Sequence, residues 1–180
     1  MWQKLGRCYP PQLELIPLFL LVLTLYLALS NYAALPDSIP THFNAQGIAD
    51  DWGSKDTILI ILGLNAFIYV LLTAINIGFA VVRDPRVLIN LPARWKARLS
   101  DTQIEQLRVI LNRCLLLLKI LMQGLLGYIV YITIEIALGR AASLGAAFFL
   151  LMLGIAAVVG LMLWQALRLT RTPRRLNTGD

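Results

Sequence analysis

Four long runs of apolar residues dominate the chain, and its polar residues collect between them. A helix needs roughly 20 mostly apolar residues to cross the hydrocarbon core of a bilayer, and each run has that length. The alternation of apolar and polar residues that indicates a membrane β-barrel is absent from all four. The pattern predicts an all-α integral membrane protein with a four-helix transmembrane bundle, in a single membrane domain over residues 1–180. The predicted spans are about residues 13–35, 57–82, 111–138 and 144–169.

The composition supports membrane residence. Of the residues, 58% are hydrophobic and only 14% are charged, with a mean hydropathy of +0.72. Soluble domains are about 45–50% apolar and about 25% charged. Intrinsic disorder is excluded because it requires low hydrophobicity. A body of 20.1 kDa is also too small to bury so much apolar surface in water.

Positive charge predicts the orientation in the membrane. The net charge is +6, and most of the 16 Lys and Arg residues precede the first run, lie between the second and third, or follow the fourth. Because Lys and Arg are enriched in cytoplasmic segments, both termini are predicted to be cytoplasmic. Residues 36–56 then form an outer loop and residues 83–110 an inner loop. No module that reads DNA or RNA accompanies the basic residues, so nucleic acid is not a predicted partner.

Local signals predict how the two loops begin and end. Pro40 lacks a backbone donor and forces Ile39 into extended geometry, so this part of the outer loop cannot be helical. Ser54 or Asp56 is placed to cap the second span. Ser100 followed by Gln103 has the spacing of a capping box, which predicts that the third helix begins here, well before its apolar run.

The outer loop carries a recognisable motif. Residues 35–55 read LPDSIPTHFNAQGIADDWGSK. Together with the spans that frame it, this segment resembles a bacterial membrane domain of unknown function. That domain recurs in the immunity-protein family that protects against the sporulation-delaying killing peptide, whose full-length members usually carry more spans than this chain. The resemblance covers about residues 13–126. It implies a multi-pass protein of the bacterial inner (cytoplasmic) membrane, and it implies no catalytic or cofactor role.

The motif predicts that the outer loop recognises a ligand or partner in an immunity or envelope-sensing role. An alternative is a small accessory subunit of a larger membrane complex, with another membrane protein or a second copy as partner besides the lipid bilayer. No Ser-His-Asp set or phosphate loop is visible, so we predict a non-enzymatic protein without a cofactor. The candidate recognition residues are Pro40, His42, Phe43, Asn44, Gly47, Asp50, Trp52, Gly53 and Lys55.

A metal site in the outer loop is a further alternative. His42, Asp50 and Asp51 offer one imidazole and two carboxylates, which can bind a cation. A single histidine is too few for a typical zinc hydrolase, so a metal-dependent membrane enzyme is the weakest of the hypotheses. The competing interpretation is a loop whose Asn and Asp side chains bond to its own backbone.

Two charged residues lie within the predicted spans near the same membrane face. Intramembrane charges are candidates for function, and Glu14 and Lys119 are placed to form a pair between the first and third spans. The alternative is that the flexible side chain of Lys119 extends to the lipid headgroups.

Overall fold

The computed structural model describes residues 9–90 and 92–171, with only the backbone of residues 170 and 171. Four long helices lie in this part of the chain, and each is long and apolar enough to cross a membrane. They confirm four helices of the length and hydropathy that the predicted spans require, and they indicate a multi-pass membrane protein. The helices are α1 (Leu15–Asn31), α2 (Thr57–Val81), α3 (Asp101–Ala137) and α4 (Gly145–Arg171).

The orientation of the bundle stays a prediction. Several of the basic residues on which it depends, Lys4, Arg7, Arg174 and Arg175, lie outside the described residues. We therefore name the two ends of the bundle by what they carry: the hairpin end, where residues 35–56 lie, and the loop end, where residues 82–90 and 92–100 lie.

The expectation of an all-α fold is wrong for residues 36–56. Ser38–Phe43 forms strand β1 and Ala49–Ser54 forms strand β2, and the two strands pair antiparallel in a hairpin. Pro40 keeps the segment out of a helix, as predicted, and the chain takes the extended alternative. The register is irregular around His42. Such a bulge breaks the two-residue period, so the sequence shows no alternation that would reveal a strand.

The predicted side-chain cap is present at the start of α3 but not at the start of α2. At α3, the Ser100 hydroxyl accepts the Gln103 N–H at 3.2 Å while the Gln103 side chain accepts the Ser100 N–H at 3.0 Å, which confirms the capping box. At α2, no side chain caps the helix directly. Ser54 accepts the N–H of Asp56, and the Asp56 carboxylate accepts the hydroxyl of Tyr32 instead.

Helix α3 is the centre of the bundle and contacts each of the other three helices. Its 37 residues span about 55 Å at 1.5 Å per residue. The first turns of α3 pack against the ends of α2 and α4. Gln103 donates to the carbonyl of Leu169 at 3.3 Å, and Ile104 and Leu107 are buried beside Phe79. The start of α3 is therefore level with the ends of α2 and α4.

Candidate functional site

The hairpin is fixed to the bundle at its base. Ile39 is completely buried in a cluster with Ala28 of α1 and Val130 and Ile134 of α3. Leu35, just before β1, is buried in the same cluster. This apolar contact ties both the hairpin and the end of α1 to the central helix.

The turn of the hairpin is fastened at a second place. The N–H of Leu144, in the connection between α3 and α4, donates to the carbonyl of Gly47 at 2.8 Å. The carbonyl of Leu144 in turn accepts the hydroxyl of Tyr128 at 2.7 Å. Phe43 contributes by packing against the cluster that contains Leu144 and Ile136. The hairpin is therefore held at its turn as well as at its base.

Asn44 organises the turn itself. Its side-chain oxygen accepts the N–H groups of Gln46 and Ile48, each at 3.0 Å. Its backbone N–H donates to the carbonyl of Ile48, and its carbonyl accepts the N–H of Gly47. Gly47 has a φ of +76°, a conformation that glycine adopts without strain. Asn44 and Gly47 thus have structural roles, as the turn interpretation of the sequence predicted.

Three more motif residues support the strands. Pro40 is buried. A Cβ on Gly53 would lie 2.9 Å from the methyl group of the Thr41 side chain, so a larger residue here would require that side chain to shift. The Lys55 ammonium pairs with Asp37 at 3.1 Å and lies over the ring of Tyr32. Of the nine candidate recognition residues, only three present exposed side chains: His42, Asp50 and Trp52.

The exposed part of the hairpin combines a polar pair with apolar surface. His42 Nδ1 lies 2.6 Å from Asp50 Oδ1, and both side chains are exposed. Trp52 is 49% exposed, and Ile48 is exposed to a similar degree. We call these four residues the hairpin surface.

The three residues of the metal hypothesis do not converge. His42 and Asp50 are in contact, but the Asp51 carboxylate accepts the N–H of Trp52 at 2.9 Å. Within the described residues, no group of three His, Cys, Asp or Glu side chains is arranged to hold a metal ion. The Asp51 contact also occupies a strand N–H, which makes this group unavailable for pairing with another strand.

The structure places Glu14 and Lys119 in direct contact. The Lys119 ammonium is 2.6 and 2.7 Å from the two carboxylate oxygens of Glu14, and it donates to Thr73 of α2 at 3.0 Å and to Tyr9 at 3.2 Å. The rings of Tyr9 and Tyr69 flank the ammonium. Lys119 is 0% exposed, so the alternative in which it extends to the headgroups is wrong.

Polar side chains continue along the same face of α3 on either side of Lys119. Towards the loop end, Asn112 accepts the Asn76 amide at 2.6 Å; towards the hairpin end, Gln123 donates to the carbonyl of Asn65 at 3.2 Å. All four amides are buried, and within the described residues several of their polar atoms have no partner.

Arg108 extends this face to the loop end. Its guanidinium donates to the carbonyls of Phe79, Ala80 and Val82, where α2 ends. Sequence reasoning missed the role of Arg108. The signal was the spacing of four, seven and four residues between Arg108, Asn112, Lys119 and Gln123, which places all of them on one face of a helix.

Comparisons with known proteins support part of the resemblance. The family model described as "Domain of unknown function (DUF1648)" matches residues 19–66, which comprise the hairpin with most of α1 and the start of α2. An uncharacterized protein of Archaeoglobus fulgidus is 32% identical over 104 residues, covering 55% of this chain and 56% of that protein. The chain thus spans little more than half the length of this relative. No solved structure matches.

Proposed function

We propose that the protein is a non-enzymatic membrane protein whose hairpin recognises a ligand or partner outside the bacterial cytoplasmic membrane, in an immunity or envelope-sensing role. The bias of Lys and Arg towards the loop end supports an outer position for the hairpin. The match of the family model to residues 19–66 also supports the proposal, because the hairpin with parts of its two flanking helices is shared with other proteins.

The observation that carries the proposal is a fixed hairpin with an exposed mixed surface. Ile39 holds the base and Gly47 the turn, while His42, Asp50 and Trp52 stay exposed. A binding surface that is ordered before binding loses little conformational entropy when a partner arrives. Tryptophan is also among the residues that contribute most to interfaces.

Photo-crosslinking in native membranes tests the proposal. A benzoylphenylalanine at Ile48 is expected to give one discrete product, because this position lies at the end of the hairpin among the exposed residues. The double variant His42→Ala/Asp50→Ala and the variant Trp52→Ala are expected to lose that product while they still insert in the membrane. Gln46→Ala, exposed on the turn, is the matched control and should keep it.

Two outcomes would contradict hairpin recognition: no product from Ile48, or the same product from the wild type and the double variant. A product obtained only from Phe67, an exposed position on the lipid-facing side of α2, would instead favour the accessory-subunit alternative.

A further inference from the structure

Residues 82–90 and 92–100 pack against the bundle at the loop end. Pro85, Ile89 and Leu99 are buried. Ile89 and Leu99 pack in one cluster with Ile104 and Leu107 of α3. A single helical turn, Ala93–Lys96, lies beside the turn formed by Pro85–Val87, because the Lys96 ammonium donates to the carbonyl of Arg86 at 3.1 Å. Since α2 ends at Val81, the segment lies where that span leaves the membrane.

The acidic residues of this region are already paired. Arg86 lies 2.7 Å from Asp101 and 3.6 Å from Asp84, and the hydrogen bond to Asp101 raises the pKa of its guanidinium. Glu105 lies 3.2 Å from Arg108. Between residues 82 and 113 the sequence contains no other Asp or Glu.

Three arginines remain without an acidic partner in the described part of the chain. Arg83, Arg94 and Arg98 are all exposed. The same segment presents two apolar side chains, since Val87 is 70% exposed and Leu88 is 41% exposed. Exposed apolar side chains beside unpaired positive charge are typical of a protein surface that lies on a membrane.

We propose that Arg83, Arg94 and Arg98, with Val87 and Leu88, form a binding site for anionic phospholipid headgroups. The guanidinium groups match the phosphate in charge and geometry, and the two apolar side chains enter the boundary between headgroups and acyl chains. Buried Ile89 and Leu99 hold the segment in place on α3. The proposal depends neither on hairpin recognition nor on which leaflet the loop end faces.

Native mass spectrometry of the full-length protein in detergent tests the site, with phosphatidylglycerol and phosphatidylcholine as probes. The wild type is expected to retain more phosphatidylglycerol than phosphatidylcholine. The triple variant Arg83→Gln/Arg94→Gln/Arg98→Gln should lower that preference on the order of tenfold or more, since each basic residue near the surface adds attraction. The matched control is Arg140→Gln, because Arg140 is an exposed arginine at the hairpin end. It should leave the preference unchanged.

A second pair of measurements separates the lipid from other anions. Added salt should weaken the preference, and Val87→Ser/Leu88→Ser should weaken retention of both lipids. The proposal is overturned if the triple variant keeps the wild-type preference while retaining its hydrogen-exchange pattern. It is also overturned if inorganic phosphate displaces the lipid at equal concentration, because the surface would then be a general anion site.

Discussion

Gly47 connects the hairpin turn to the bundle through its own backbone. Its carbonyl accepts the N–H of Leu144, its φ is +76°, and a Cβ at this position would lie 3.2 Å from the Cβ of Leu144. Both the conformation and the close contact therefore favour glycine. This contact fixes the turn of the hairpin, in addition to the buried contact of Ile39 at its base.

Replacing Gly47 with alanine should loosen the turn. The left-handed conformation destabilises a non-glycine residue by about 1–2 kcal/mol, and the Leu144 side chain must also move. Hydrogen exchange at the N–H of Leu144 should accelerate accordingly. Gly63→Ala is the control, because no atom lies within 4 Å of the added Cβ in helix α2. Unchanged protection of Leu144 in Gly47→Ala would contradict this account.

Lys119, which is completely buried, pairs with the partly exposed Glu14 just before α1, and this contact joins the start of α1 to α3. Removing one partner of a buried pair typically destabilises a protein by about 3–5 kcal/mol, because the other charge stays buried alone. Glu14→Gln should therefore lower the free energy of unfolding in an SDS titration, because the Lys119 ammonium stays buried without its carboxylate partner. Glu14→Gln/Lys119→Met should regain most of the loss, since no net charge remains. A double variant no more stable than the single one would show that the pair is not the cause.

For single residues, the sequence predicts a contact where two residues lie at the same depth in the membrane. Glu14 and Lys119 both lie near one membrane face, so their contact could be predicted. The turn roles of Asn44 and Gly47 could also be predicted from their residue types. Which other motif residues are exposed could not be predicted, because it depends on the geometry of the hairpin. The spacing of polar residues places Arg108 on the polar face of α3, but its contact with the end of α2 depends on helix packing and could not be predicted.

At the scale of elements, Arg108 closes the end of α2. The last carbonyls of a helix have no partner within it, and here three carbonyls, those of Phe79, Ala80 and Val82, accept one guanidinium. The positive charge also interacts favourably with the negative end of the helix dipole. Arg108 therefore stabilises the end of α2 against α3.

Arg108→Gln should release the end of α2. A hydrogen bond to a charged group contributes about 1.5–3 kcal/mol, so the loss should reach at least about 2 kcal/mol. Deuterium uptake should rise over residues 79–89. Arg140→Gln is the control, since the Arg140 pair with Glu135 is on the surface and contributes little. Equal uptake in the two variants would contradict the role of Arg108.

The helices and the hairpin differed in how far they could be predicted. An apolar run of sufficient length has one stable form in a bilayer, so α1, α2 and α4 were placed close to their observed bounds. Helix α3 was recognised from the Ser100 capping box. The hairpin was missed as a pair of strands because each strand has six residues, several of them polar, and the bulge at His42 interrupts the alternation.

In the whole molecule, the hairpin and the loop segment are expected to lie on opposite sides of a membrane. The described fold has them at opposite ends of α2, which is long and apolar enough to span the bilayer. Hairpin recognition outside the cell requires this arrangement with the loop end in the cytoplasm. The bias of positive charge towards the loop end predicts that orientation.

Cysteine labelling in intact cells tests this claim most directly. In a background of Cys8→Ser and Cys114→Ala, single cysteines are introduced as Thr41→Cys in the hairpin and Ala97→Cys at the loop end, both at exposed positions. A membrane-impermeant maleimide should label the hairpin cysteine in intact cells and the loop cysteine only after permeabilisation. Labelling of both cysteines in intact cells, or of the loop cysteine alone, would contradict the account.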